Sequence, residues 1–215
     1  MNIISFSLWG DNPIYTIGAI KNIDLTKVFL SEWTCRFYID STVPKEIVKR
    51  LELDSEVIMC PDSDGFYGLF WRFYPLFDKS ADRFIVRDCD SRISVRDQIA
   101  VNQWIDSNKP FHIVRDHPYH GTEVLGGTFG AVPGKLNFDS NTIPNFLSSI
   151  NINIHPRGRY FDTDQQFLRN VVWPTIKDIS CVHDSYFTYN SNALKLPNTV
   201  NQFIGQKFNE VDSII

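Results

Sequence analysis

The sequence predicts an α/β fold, a single domain built on a mostly parallel central sheet with crossover helices. Three features carry that expectation. Short apolar runs alternate with helix-spaced segments through roughly the first half of the chain. Three of those runs end in polar loops, where ligands sit in open α/β sheets. The 215 residues, 43% hydrophobic and 14% aromatic, suffice for one substantial core.

Taken in order, Ile3 to Leu8 reads as a buried strand, followed by the loop Trp9-Gly10-Asp11-Asn12-Pro13. Ile14, Ile17, Gly18 and Ile20 fall on one side of a helix over Ile14 to Asn22. Thr34 to Ile39 is the second strand. Pro44 opens a helix that runs to Leu53, proline being well tolerated in a first turn. Val57 to Cys60 is a third strand, closed by Pro61-Asp62-Ser63-Asp64-Gly65. Leu69 to Phe77 reads as an aromatic-rich helix, Phe84 to Val86 as the fourth strand, Val95 to Ile105 as a helix and Phe111 to Val114 as the fifth strand. Beyond that point Gly121 to Gly134 is glycine-rich, Thr142 to Ile150 and Asp162 to Val172 are expected helices, and the tail from Asn190 is expected to be loop.

Composition narrows the function. A formal charge of -4 argues against a nucleic-acid binder, which needs a basic excess. Arg83, Arg87, Arg92 and Arg96 do gather locally, which leaves a small anionic ligand open. Cys35, Cys60, Cys89 and Cys181 form no CxxC pair, so neither a zinc site nor a disulfide framework is indicated. The N-terminus lacks a signal peptide's charged start and long apolar stretch, and no run has the length of a transmembrane segment. A cytoplasmic setting is the default expectation, with peripheral attachment to a membrane left open.

The most informative stretch is Arg83 to Arg92, in which Phe84-Ile85-Val86 runs straight into Asp88 and Asp90. In an extended chain, residues two apart point to the same side, so both carboxylates can grip one hard cation while Cys89 and Arg87 face away. Mn²⁺ or Mg²⁺ prefers carboxylate, water and phosphate oxygens, so such a pair suits a metal that also holds a diphosphate. Of the three Asp-x-Asp triplets only this one follows a buried strand directly. Asp62 and Asp64 sit in a turn, where aspartates commonly serve local hydrogen bonds. Asp162 or Thr163 suits a helix N-cap.

These residues resemble a glycosyltransferase of the GT-A fold, in which a Rossmann-like N-terminal half joins a metal-binding Asp-x-Asp and an acceptor-binding C-terminal half. The resemblance runs from Ile3 to about Gly205 and follows the motif order of family 8. It implies a nucleotide-binding half over about 1–115 and an acceptor-binding half over about 116–215. It points to Arg72, in Trp71-Arg72-Phe73, as a donor-sugar contact, and to Gly126 and Gly127, in Leu125-Gly126-Gly127-Thr128, as an acceptor-side segment. Asp164-Gln165-Gln166 is similar to an Asp-Gln-Asp helix under the sugar, with Gln166 replacing the second aspartate. His183 is implied as a third metal ligand beside Asp88 and Asp90. The glycine and lysine that should follow it are absent; Gly205 and Lys207 come much later, so the diphosphate-binding lysine stays unassigned.

The expected activity is therefore a metal-dependent glycosyltransferase. It would move a sugar from a nucleotide-diphospho-sugar, most simply a UDP-sugar, to a hydroxyl of a glycan, lipid or protein acceptor. Ser7, Leu8, Trp9 and Gly10, with Tyr15, would hold the nucleoside, Asp164 and Gln165 would stand at the reacting face, and His117 and His120 are candidates for the acceptor pocket. An inverting enzyme needs a carboxylate base, for which Asp164 is available, whereas a retaining one would place Gln165 beneath the anomeric carbon. A sugar nucleotidyltransferase would use similar parts but should carry a basic, glycine-rich loop after the first strand, where Leu8 to Pro13 is acidic with one glycine. A non-enzymatic carbohydrate- or cation-binding module is the remaining alternative.

Overall fold

The computed structural model describes residues 1–150, 156–197 and 202–215. Its centre is a seven-stranded sheet of order β3-β2-β1-β4-β6-β5-β7. The strands are β1 (Asn2–Leu8), β2 (Trp33–Ile39), β3 (Glu56–Met59), β4 (Arg83–Val86), β5 (Phe111–Arg115), β6 (Phe129–Ala131) and β7 (Ser180–Asp184). All neighbouring pairs are parallel except those of β6, which runs antiparallel to both β4 and β5. The mixed α/β, mostly parallel architecture is the one expected.

The helices divide between the two faces. On one lie α1 (Pro13–Phe29), α2 (Lys45–Glu52) and α3 (Val95–Asp106), over Ile4, Phe6, Phe37 and Ile85, with Trp104 of α3 buried among them. The other is covered by an aromatic 3₁₀ segment (Tyr67–Phe77), α4 (Thr142–Ser149) and α5 (Thr163–Phe167), which bury Phe70, Phe73, Phe84, Phe129 and Phe167. After α5 the chain passes through a π-helical turn, Leu168–Val172, into α6 (Trp173–Ile176). Parallel strands covered on both faces read as continuous apolar runs, which is why β1, β2 and β4 were legible.

Local chemistry sets the starts of the helices that matter. Asn12 caps α1, its side chain accepting from the Ile14 N–H at 3.0 Å, and Pro13 occupies the first turn. α3 begins with a reciprocal capping box between Ser94 and Asp97. The segment expected as a helix over Leu69 to Phe77 is 3₁₀ instead, with Pro75 inside it removing a backbone donor. Asp162 precedes α5 at φ 62°, and its side chain makes no capping bond, so the expected N-cap role is corrected.

Two strands fall outside the expectation. β6 is only Phe-Gly-Ala, within the stretch expected as glycine-rich connection. β7, Ser-Cys-Val-His-Asp, has two polar residues buried on it, His183 and Asp184, and lacks an apolar signature.

Candidate functional site

The carboxyl ends of β1 and β4 open into one pocket of about 510 Å³. Its walls come from the β1 loop (Ser7, Leu8, Trp9, Gly10, Asp11, Asn12), from Tyr15 on α1, from Phe66, Leu69 and Arg72, from Asp88, Cys89 and Asp90 after β4, and from Lys207 in the C-terminal segment. Every residue expected to hold the nucleoside is therefore here, together with Arg72 and the aspartate pair.

Strand pleating does not account for the pair's common side. β4 ends at Val86 and Asp88 to Ser91 forms a turn, with the Ser91 N–H donating to the Asp88 carbonyl at 3.0 Å. The turn brings both carboxylates to the pocket while Cys89 is buried, its Sγ 3.4 Å from the Ser7 carbonyl oxygen. Arg87 faces away as expected and pairs with buried Asp97 at 2.7 Å. Asp90 is only 3% exposed, and burial together with the neighbouring Asp88 charge raises its pKa above the ordinary carboxylate value, opposed by Lys207. Burial also raises the Tyr15 pKa, with the Asp90 charge adding to it.

Arg72 is the centre of the site. Its guanidinium is buried between two carboxylates, donating to Asp88 Oδ1 and, at 2.7 Å, to Asp164 Oδ2. Serines of β1 hold its backbone: the Arg72 N–H donates to Ser7 Oγ at 3.0 Å, and Ser5 Oγ–H donates to the Arg72 carbonyl at 2.8 Å. Burial alone would lower the Arg72 pKa, but the Asp88 and Asp164 charges outweigh it and leave the pKa raised.

The glycines stand where close approach demands them. β6 pairs with β4 so that Ile85 faces Gly130, and continuing that antiparallel register sets Gly127 beside Asp88. A Cβ on Gly127 would collide with the Asp88 carboxylate, and one on Gly126 with the Arg72 guanidinium. Gln165 closes this corner: oriented to satisfy both amide groups, its oxygen accepts from the Gly126 N–H at 3.0 Å and its nitrogen donates to the Val124 carbonyl at 3.2 Å.

Lys207 was left unassigned by the sequence. Its Nζ lies 3.3 Å from Asp90 Oδ2, and the Asp90 charge raises its pKa. The only signal was Gly205-Gln206-Lys207, with Gly205 at φ 86°, far from the position the family order assigns.

The expected third metal ligand is a correction. His183 is 1% exposed on β7, and both its ring nitrogens are engaged, Nδ1 with His112 Nε2 at 3.0 Å and Nε2 with Gln103 Oε1 at 2.8 Å. Desolvation lowers its pKa to about 4. Among the described residues no group of three His, Cys, Asp or Glu side chains could hold a metal ion. Two adjacent carboxylates facing a pocket nevertheless fit Mn²⁺ or Mg²⁺ of the kind completed by water and phosphate oxygens.

His117 and His120 do not line this pocket. His117 stacks on Phe203 with ring centroids 4.0 Å apart, and His120 Nδ1 accepts from the Asp116 N–H at 3.0 Å. The arginine cluster is likewise no open anion site: Arg92 pairs with Asp212 at 2.9 Å, Arg96 with Asp116 at 2.5 Å, and Arg83 lies over the Trp104 ring. Asp62 accepts from the Ser41 N–H and Asp64 pairs with Arg159, so both serve contacts to distant parts of the chain and not the local turn bonds expected.

No family model and no curated protein matches the chain. Solved structures do. The chain is similar to 4-diphosphocytidyl-2C-methyl-D-erythritol synthase from Anaerococcus prevotii, at 14% identity and TM-score 0.50, over 92% of this chain and 90% of that one. Glucosyl-3-phosphoglycerate synthase from Mycobacterium tuberculosis, solved with Mn²⁺, UDP and phosphoglyceric acid, matches at 11% identity and TM-score 0.45, over 85% and 68%. S. aureus TarS matches at 14% identity and TM-score 0.41, over 58% of this chain. The chain spans 37% of that TarS structure and 53% of a mycobacterial protein that it also matches. No helix of the described residues is long and apolar enough to cross a membrane. The first likeness, extending over nine-tenths of both chains, shows the fold: a single mixed α/β domain, GT-A-like, on a mostly parallel seven-stranded sheet.

Proposed function

We propose that this protein is a metal-dependent glycosyltransferase, moving a sugar from a nucleotide-diphospho-sugar of the UDP class to an acceptor hydroxyl. The observation that carries the reading is the convergence of the β1 loop, Arg72, the aspartate pair and Lys207 on one pocket. Residues 1–115 supply its nucleotide-binding half and 116–215 its acceptor-binding half, with Lys207 reaching across. Ser7 to Gly10 and Tyr15 hold the nucleoside. Asp88 and Asp90 would hold Mn²⁺ or Mg²⁺, which when bound supplies Lewis-acid neutralisation of the departing nucleoside diphosphate.

The protein's own groups do the rest. Lys207 pairs with the diphosphate as a point charge. Arg72, already fixed by Ser5 and Ser7, donates to the sugar from a dry corner where its hydrogen bonds are strong. Asp164 orients Arg72 and faces the acceptor hydroxyl, and Gln165 sets the edge on which the sugar rests. Asp164→Asn is expected to cut turnover about a hundredfold while changing the donor Kd less than threefold, as loss of a group acting mainly in the transition state requires. Equal losses in steady-state turnover and in donor titration would exclude that role.

A panel of nucleotide sugars incubated with and without Mn²⁺ tests the assignment. Slow metal-dependent release of nucleoside diphosphate is expected. A sugar nucleotidyltransferase is the second reading, supported by the likeness to the Anaerococcus synthase; pyrophosphate-dependent formation of a nucleoside triphosphate from a nucleotide sugar would favour it instead. Sugar binding without any turnover would leave a carbohydrate-binding module.

A further inference from the structure

The C-terminal segment is tied down from two sides: Lys21 of α1 donates to the Glu210 carbonyl at 2.8 Å and pairs with Asp212 at 2.6 Å, and Arg92 joins the segment to the aspartate turn. Arg92, whose side chain is 8% exposed, pairs through Nε with Asp212 at 2.9 Å and donates through Nη2 to the Asn209 carbonyl at 2.9 Å. Its Nη1 donates to the Ser91 carbonyl at 2.8 Å and, at 3.3 Å, to that of Cys89. The same guanidinium lies 5.5 Å from the centre of the Phe208 ring. Adjacent to Lys207, the Phe208 N–H donates to the Asp90 carbonyl at 2.8 Å. One fork thus joins the backbone of the Asp88–Asp90 turn to the strand of chain that carries Lys207. Room for it comes from α1, where Gly18 faces the turn: a Cβ there would collide with the Cys89 carbonyl and stand 3.0 Å from Arg92 Nη1.

We propose that Arg92 is a positioning residue for Lys207, clamping the C-terminal segment across the aspartate turn so that the ammonium is held at the diphosphate position before donor arrives. The inference rests on the proposed role of Lys207 and goes beyond it. Without the clamp Lys207 is a long, 60% exposed side chain on a loop, and the ordering of that loop is charged against binding. With the clamp, added to the Lys21 ties and the Phe208 N–H bond, part of that ordering is made in the free protein. The ion pair with half-exposed Asp212 contributes little by itself. The effect lies in preorganisation, so it is read as nucleotide affinity and as protection of the segment, not as global stability.

The test compares R92A, R92K, D212A, K207A and R92A/K207A. UDP is titrated with MnCl₂ present and followed by the fluorescence of Trp9 in the pocket. Amide exchange of the C-terminal segment is measured in metal-free buffer. R92A and K207A are each expected to weaken UDP binding about tenfold, and the double variant no further than the weaker single one, because the two act as a unit. R92K, keeping the charge but not the fork, and D212A, cutting the ties of Arg92 and Lys21 to the half-exposed Asp212 carboxylate, are each expected to cost about threefold. Protection of the Phe208 amide should fall in R92A and persist in K207A. Additive losses in the double variant, or wild-type exchange at Phe208 in R92A, would overturn the positioning role while leaving Lys207 its function. Wild-type UDP affinity in K207A would instead refute the reading of Lys207 and the inference with it. If R92A does not fold, R92K and D212A decide: wild-type affinity in both overturns the proposal.

Discussion

Asp90→Asn is expected to abolish metal-dependent turnover and, at the same time, to raise the melting temperature at pH 7. The first effect follows from the aspartate pair. With one carboxylate neutralised the cation loses half of its protein charge, and a loss of about a thousandfold, equivalent to ~4 kcal/mol of barrier, is the scale for a Lewis-acid metal. The second follows from the environment. Burial, then the Asp88 charge, raises the Asp90 pKa in the folded protein above its ordinary 3.8, so the ionised carboxylate penalises the folded state at neutral pH. The sign is fixed: the penalty is full above the raised folded value, shrinks as pH falls through it, and is gone below 3.8, where both states bind the proton. The gain in Asp90→Asn should therefore fade between neutral pH and about pH 4. Lys207 loses a partner but is 60% exposed and needs no replacement. Adding Mn²⁺ and UDP should raise the melting temperature of the parent and leave that of Asp90→Asn unmoved. Scanning fluorimetry across pH reads all of this; a variant less stable than the parent at pH 7 would mean that Asp90 is a structural carboxylate.

The strand-ends of this site were legible because parallel strands buried on both faces are unbroken apolar runs, and the polar residues that interrupt them stand out. Ser7, Trp9 and Asp88 could be placed for that reason. Gly126 and Gly127 were legible as a motif, but their cause was not: it depends on β6, three residues of which one is glycine, pairing antiparallel to β4 and carrying Gly127 against Asp88. His183 shows the opposite failure. A histidine late in the chain suited a ligand by order alone, whereas the fold uses it to satisfy His112 and Gln103 under α3, on a strand whose polar residues hid it. Lys207 was invisible for a third reason. Its approach to Asp90 depends on ties made by Arg92 and Asp212, more than a hundred residues apart, and no local periodicity records such a contact. The same pairing explains why the basic cluster around Arg92 and Arg96 looked like an anion site: its counter-charges, Asp116 and Asp212, come from elsewhere in the chain.

Arg72→Met should be the most destabilising substitution in the site, by about 3 kcal/mol, because it strands a buried carboxylate without its counter-ion. Asp88 can recruit water, its side chain being 38% exposed, but Asp164 is 2% exposed and has Arg72 as its cationic partner. For a chain of this length the loss corresponds to roughly 6–12 °C in Tm. Arg72→Lys should recover only part of it, since one ammonium cannot reproduce two directed hydrogen bonds to separate carboxylates. The double variant Arg72→Met/Asp164→Leu separates the two roles of the ion pair. Replacing a buried pair by apolar groups of similar volume is often neutral for stability, so the Tm should return close to that of the parent. Turnover should not return if the proposed roles hold, because an apolar corner keeps neither the Arg72 cation nor the Asp164 carboxylate. Recovery of turnover along with stability would show that Arg72 and Asp164 serve packing alone. A double variant as unstable as Arg72→Met would locate the strain elsewhere, in the Ser5 and Ser7 bonds that hold the 3₁₀ segment to β1.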